Sequence, residues 1–276
     1  MEMGKGAGTS GVAPLISLLT DFGLMDPYVA EMKAIILSLC PSARIIDISH
    51  LVEKFNVRMG AFLLASTTPS FPTGTVHLAV VDPGVGSARR SIAVETERSL
   101  FVGPDNGLLV PAAQPESILH VYEVTNRSMM REKVSATFHG RDIFASIAAH
   151  LACGSSPKEL GREITDYVIP SYNQPKLDGK AVLCEVSYVD GFGNIITNLR
   201  SEQVSEFNIN VSERLVLSVG KKRFSGRYVK TYSDLGENDF GLLVGSHGFL
   251  EIACREKSAA KRIGARNGMR VRVSGA

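Results

Sequence analysis

Strand-like apolar runs alternate with helix-period segments from Leu15 to Ala152, and that alternation restricts this part of the chain to a parallel sheet covered by helices on both faces. Leu15 to Thr20, Ala43 to Ile48 and Thr75 to Val81 read as strands, and Ser91 to Val94 and Leu100 to Val102 add two more. Asp26-Pro27 offers a capping residue followed by the proline favoured at a first helical position, and Val29, Met32, Ile36 and Leu39 share one side of the helix predicted behind it. Asn56 is the expected cap of a second helix through Leu64, and Arg141 to Ala152 forms a third, ended near Gly154. Beyond a Pro-, Asn- and Gly-rich stretch from about Pro170 to Lys180, the texture changes. Ala181–Val189, Leu215–Val219, Phe240–Val244, Phe249–Ala253 and Met269–Val273 are short strand-like runs parted by turn residues, as in a small β domain or barrel. The expected fold class is α/β: an N-terminal layered domain with a mainly parallel sheet over residues 13–172, and a smaller C-terminal β-barrel domain over 178–276.

Composition narrows the function classes. With 44% hydrophobic and 21% charged residues the 276-residue chain has ordinary globular usage. No apolar run approaches the roughly 20 residues that span a bilayer. Met1 to Pro14 is Gly-rich and polar where a secretory signal needs an apolar segment, so no membrane association and a cytoplasmic location are expected. The formal net charge of +2 is spread out except at Lys257, Lys261, Arg262, Arg266, Arg270 and Arg272, which reads as a mixed solvated surface, so no nucleic-acid partner is expected. Cys40, Cys153, Cys184 and Cys254 lack metal-ligand spacing; they are expected to stay reduced, with no metal site and no disulfide framework.

Two aspartates follow strands where an open parallel sheet keeps its ligands: Asp21 after the first strand and Asp82 after the third. Taken singly, each is as well explained by a turn or cap. The Asp82 segment continues Pro83-Gly84-Val85-Gly86-Ser87-Ala88-Arg89-Arg90, a tight turn whose arginines can fold back toward the carboxylate. It is neither a Walker A loop nor a dinucleotide fingerprint. Thr20-Asp21-Phe22-Gly23 stands at the amino terminus without the other kinase segments, and the hydrolase GxSxG and deaminase motifs are missing. Thr137-Phe138-His139-Gly140-Arg141-Asp142 places an imidazole at a helix entrance, where it serves as a cap, a core group or a proton carrier near neutral pH. In Asp190-Gly191-Phe192-Gly193-Asn194, turn chemistry accounts for Asp, Gly and Asn but not for an aromatic ring between two glycines.

Together these segments closely resemble the S-adenosylmethionine hydrolase family, also called S-adenosylmethionine hydroxide adenosyltransferases and related to fluorinases and chlorinases. The resemblance runs over nearly the whole chain after Pro14 and rests on TDFG (Thr20–Gly23), VVDPGVG (Val80–Gly86) with Arg89 and Arg90, FVGPDNG (Phe101–Gly107), TFHGRDIF (Thr137–Phe144) and DGFGNIITN (Asp190–Asn198). It implies an α/β domain, a β-barrel domain and a homotrimer with active sites at subunit interfaces. It further implies hydrolysis of S-adenosyl-L-methionine (SAM) to adenosine and L-methionine, by in-line attack of water at ribose C5′ and without a cofactor. Carried over by motif position, Asp82, Arg89 and His139 match the family's water-handling triad. Asp21 is expected at the ribose hydroxyls, Phe138 and Phe192 in the nucleoside pocket and Asp190 at the methionine amino group, with Asn194 and Ser246 supplying further contacts. Phe55 lies near where halogenating relatives carry a tryptophan and is a further pocket candidate. His247 stands where those relatives have arginine, and Cys254-Arg255-Glu256-Lys257 departs from the small, Asn-containing stretch expected there.

Which of Asp82 and His139 is the base stays open at this level. Three rivals compete. A halogenase would give 5′-halo-adenosine, but its relatives have neutral tyrosine and threonine where this chain has Asp82 and Val85, and a carboxylate repels halide. A non-catalytic SAM or adenosine binder has no use for a water-activating set, and a methyltransferase would release S-adenosylhomocysteine.

Overall fold

The computed structural model describes residues 13–171, 174–207 and 214–275, apart from the side chain of residue 205. The expected boundary at 172, the terminus at 276 and residues 1–12 of the Gly-rich start lie outside the described residues. The chain divides between Pro170 and Ser171 into two compact units.

The first unit runs β1 (Leu15–Thr20), α1 (Tyr28–Leu39), β2 (Arg44–Ser49), α2 (Val57–Thr67), β3 (Val76–Val80), β4 (Ser91–Thr96), β5 (Leu100–Pro104), α3 (Val110–Ala113), β6 (Ile118–Glu123) and α4 (Ala145–Ala152), the last entered through a π-helical turn at Gly140–Phe144. The sheet order is β2-β1-β3-β5-β4-β6. Its first four strands pair in parallel, and β4 runs antiparallel between β5 and β6, the mainly parallel layer expected. Alternation along each strand divides the core. Ile16, Leu18, Leu78 and Val80 pack with Met32 and Ile36 of α1 and Ile147 and Leu151 of α4, whereas Leu19 and Val81 approach Gly60 of α2. Burial of each such side chain stabilises by roughly 1.5–3 kcal/mol.

Two local expectations need correction. Asp26 does not cap α1: Pro27 holds the cap position with no side-chain bond, and the Glu31 N–H donates to the Pro27 carbonyl. Cys40 and Cys153, expected reduced, form a disulfide across 113 residues with Cα atoms 5.9 Å apart. The pair joins the ends of α1 and α4, so it is set by helix packing and leaves no spacing signature. Asn56 does cap α2, accepting from the Met59 N–H at 3.0 Å.

The second unit contains β7 (Lys176–Asp178), β8 (Ala181–Val189), β9 (Ile195–Arg200), α5 (Ser201–Glu206), β10 (Arg214–Val219), β11 (Lys222–Tyr228), β12 (Phe240–Val244), β13 (Phe249–Ala253), α6 (Ala259–Ile263) and β14 (Arg270–Gly275). Pairing of β14 with β8, from Arg270 opposite Glu185 to Ser274 opposite Ala181, closes seven strands into a barrel. β7 adds to β8 outside the closure. Sequence reading passed over β11 because only Phe224, Gly226 and Tyr228 turn from solvent, between exposed Lys222, Arg223, Ser225 and Arg227. Among the described residues no helix is long and apolar enough to cross a membrane.

Candidate active site

β1, β3 and β5 are parallel neighbours, so their carboxyl ends share one edge of the sheet. Asp21 leaves β1 there and is buried. Its Oδ2 accepts from the Phe55 N–H at 2.8 Å, and its carbonyl accepts from Lys54 Nζ at 2.5 Å. Phe55 has φ of 65°, a left-handed conformation uncommon for a bulky residue, and it is 70% exposed.

Asp82 leaves the end of β3, and Arg89 closes the turn by pairing with it through two bonds: Nη2 to Oδ2 at 2.5 Å and Nε to Oδ1 at 3.2 Å. Nη1 of Arg89 donates to the Arg90 carbonyl at 2.9 Å and to Ser91 Oγ at 3.0 Å, while Nη2 also reaches His139 Nδ1 at 3.1 Å. All five N–H groups of the guanidinium are thus matched, and its carbon lies 5.3 Å from the centre of the Phe144 ring. Both side chains of the ion pair are nearly inaccessible, which strengthens it relative to an exposed pair.

His139 reaches this pair because Gly86 (φ 78°) has no side chain. A Cβ there would lie 2.5 Å from the Ala136 carbonyl oxygen and push the 136–139 segment away. A guanidinium only donates, so His139 Nδ1 is the acceptor and the ring proton of the neutral form sits on Nε2. Burial and then the Arg89 charge hold the imidazole below its ordinary value, against opposing contributions from Asp82 and Asp142.

The π turn that follows is anchored by Asp142, which is wholly buried and accepts from Ser135 N at 2.8 Å and Arg141 Nε at 2.7 Å. Phe138 meets Phe22 and Tyr28 edge-on, with ring centres 5.8 and 5.1 Å away, and the Arg141 guanidinium carbon lies 4.9 Å from the Phe138 ring centre. The structure therefore groups Asp82, Arg89 and His139, with Phe138 next to His139, and sets Asp21 and Phe55 together at the β1 end.

In the second unit Asp190 organises its own loop. Its Oδ1 accepts from the N–H groups of Phe192 and Asn194 at 3.0 and 2.8 Å, and Oδ2 accepts from Asn194 Nδ2 at 2.9 Å. Gly193 (φ 87°) passes so close to Ser258 that a Cβ would overlap its side chain. Phe192 stands 85% exposed, and Ser246 Oγ lies 3.5 Å from His247 Nδ1 on an exposed turn. Sequence reasoning assigned nothing to Tyr232 and Glu251, which meet at 2.8 Å. Burial raises both acids, and the hydrogen bond to Glu251 raises Tyr232 further. It also assigned no role to Asp105 and Asn106 inside FVGPDNG, although that segment had been singled out.

Residues 16–161 match the SAM hydroxide adenosyltransferase N-terminal domain and residues 184–272 the C-terminal domain of the same family. An (R)-S-adenosyl-L-methionine hydrolase of Salinispora tropica is 39% identical over 95% of this chain and 98% of its own length. One from Methanocaldococcus jannaschii is 35% identical over 91% of this chain and 92% of its own. A fluorinase of an Actinoplanes species is 27% identical over 95% and 97%. Among solved structures, an uncharacterized conserved protein from Thermotoga maritima superposes with a TM-score of 0.90 at 36% identity, covering 94% of this chain and 99% of that one. Sequence match over both units and structural agreement over nearly the full length place this chain in the SAM hydroxide adenosyltransferase family.

Proposed function

We propose that the protein hydrolyses SAM to adenosine and L-methionine by attack of water on ribose C5′. The observation that carries this reading is the Arg89 guanidinium held between Asp82 and His139. Relatives named (R)-S-adenosyl-L-methionine hydrolase, at 35–39% identity over nearly full length, support the substrate. In that name L fixes the amino-acid carbon, so R designates the sulfonium, and the proposed substrate is that epimer.

Methionine departs from a sulfonium as a neutral thioether and needs no proton from an acid. The reaction calls for neither a metal nor a redox cofactor, and the difficulty lies in the nucleophile. Neutral His139 presents Nε2–H to the water oxygen and orients it, while the Arg89 charge, its N–H groups all engaged, favours the hydroxide-like form through space. Each Asp82 oxygen keeps a lone pair beyond its bond to Arg89, so Asp82 receives the water proton as the C5′–O bond forms and the C5′–S bond breaks. The proton then passes to solvent. Orientation and proton transfer of this kind contribute about 10²–10⁴-fold.

Asp21, with Oδ2 engaged by Phe55, has Oδ1 for the ribose hydroxyls; Phe55, Phe138 and Phe192 provide the nucleoside walls, and Asp190, Asn194 and Ser246 the remaining contacts. Exposed Leu24, Met25, Tyr28, Leu51 and Phe55 in the first unit, and Phe192 and Tyr232 in the second, support the homotrimer with interfacial sites, since such apolar surface marks contact regions. Chromatography of products after incubation with each sulfonium epimer tests the reading. Adenosine and methionine from the R epimer are expected; 5′-halo-adenosine in halide, S-adenosylhomocysteine, or no product would overturn it. Light scattering tests the trimer.

A further inference from the structure

The turn that bears both Asp82 and Arg89 is gripped at both ends by one loop, and Asp166 adds bonds to the Arg90 end through its carboxylate at 2.8 Å and its carbonyl at 2.7 Å. Asn106 Nδ2 donates to the Val81 carbonyl at 2.9 Å, the peptide group from which Asp82 departs, and Asn106 Oδ1 accepts from the Leu108 N–H at 3.2 Å. The Asn106 amide is therefore fixed through both its atoms. One residue earlier, Asp105 Oδ2 accepts from Arg90 Nε and Nη2 at 2.9 and 2.7 Å, and the Asp105 N–H donates to the Arg90 carbonyl at 3.0 Å. Asp105 Oδ1 accepts from the Val168 N–H at 2.8 Å, which ties this carboxylate to the end of the unit.

Between the grips lie Pro83, Gly84 and Gly86, and most of that stretch is exposed. The ion pair keeps Asp82 and Arg89 together, and the Arg89–His139 bond and the close approach of Gly86 to Ala136 set the turn against the 136–139 segment. Those contacts act at the middle of a largely exposed turn, and the anchors at Val81 and Arg90 fix its two ends. We propose that Asp105 and Asn106 are positioning residues that clamp both ends of this turn and so set the Asp82–Arg89 pair against His139. The proposal deepens the hydrolase reading and rests on it for its effect on rate. Misplacement by about 1 Å is enough to cost on the order of 10²-fold in a positioned reaction.

The test compares Asn106→Ala and Asp105→Asn with Thr96→Val. The last removes the Thr96 hydroxyl's bonds to Glu116, Ser99 and Arg98 at the far end of β4 and serves as a control for general loss of stability. For the two clamp variants kcat is expected to fall at least about tenfold with KM within about threefold, while the control keeps kcat. NMR titration of His139 gives a readout independent of turnover. With Arg89 no longer held in place, the imidazole value is expected to rise toward its ordinary 6.5 in the clamp variants only. Should Asn106→Ala fail to fold, Asn106→Ser keeps a hydroxyl that can accept from the Leu108 N–H, lacks the reach to Val81 and adds no charge. Wild-type kcat and an unmoved His139 titration in the clamp variants would overturn the proposal, as would an equal loss in Thr96→Val. If the wild-type protein releases no adenosine, the hydrolase reading fails, and the His139 titration alone decides the clamp.

Discussion

In the first unit Arg89 has every N–H matched and shares a nearly inaccessible ion pair with Asp82, while in the second Phe192 and Ser246, two of the side chains proposed to meet substrate, stand exposed. The contrast separates two tasks. A group that must stabilise a developing hydroxide works best when its geometry is set before substrate arrives, because reorganisation then costs nothing during the reaction. A group that recognises part of a substrate gains by ordering around it, and Asp190 shows the halfway state: its loop is internally bonded, but the ring that the loop carries is free.

Substitutions in the two regions are expected to part cleanly into rate and affinity. The largest effect is expected from Asp82→Ala, which should lower kcat by about 10²–10⁴-fold while isothermal titration still detects substrate binding. Undiminished turnover there breaks the comparison outright. Arg89→Lys keeps the charge but loses the two-pronged bond and the reach to His139, and a drop of about 10–10²-fold in kcat is expected. Phe192→Ala should instead raise KM about tenfold with kcat nearly unchanged, and, since the ring is exposed, leave Tm where it is. Ser246→Ala, at the weakest contact, should change KM by only about two- to tenfold.

A pH profile sharpens the same contrast. His139 is held below its ordinary value, so the neutral form persists below pH 6.5, and activity should fall only at a lower pH, when the proton enters. Protonation removes the Nδ1 acceptor and sets a cation beside Arg89. In the Asp190-loop variants that acid limb should stay where it is in the wild type.

Much of the fold was legible because it was written in local periodicities. The fully buried β3 reads as an apolar run broken only by His77, and Asn56 announces α2 through its side chain. What escaped depended on distant partners. Cys40 and Cys153 carry no mutual spacing, and only the packing of α1 beside α4 brings them together. β11 was hidden by a glycine on its inner face. In the site, Asp21, Asp82, Arg89 and His139 could be named from motifs and the triad from the family resemblance, whereas the physical reason Arg89 meets His139 across 50 positions, Gly86 yielding space to Ala136, could not. Asn106 was passed over because its work is done on a neighbour's carbonyl, which no residue pattern reveals.

Closure of the barrel by β14 and β8 has a consequence for how the second unit meets other molecules. Among the described residues, closure leaves little open rim of main-chain donors and acceptors beyond β7 and the part of β11 before its short pairing with β12, so a newcomer has few places to extend the sheet. Recognition there falls mainly to side chains and to loops at the ends of the cylinder, which can change without disturbing the wall.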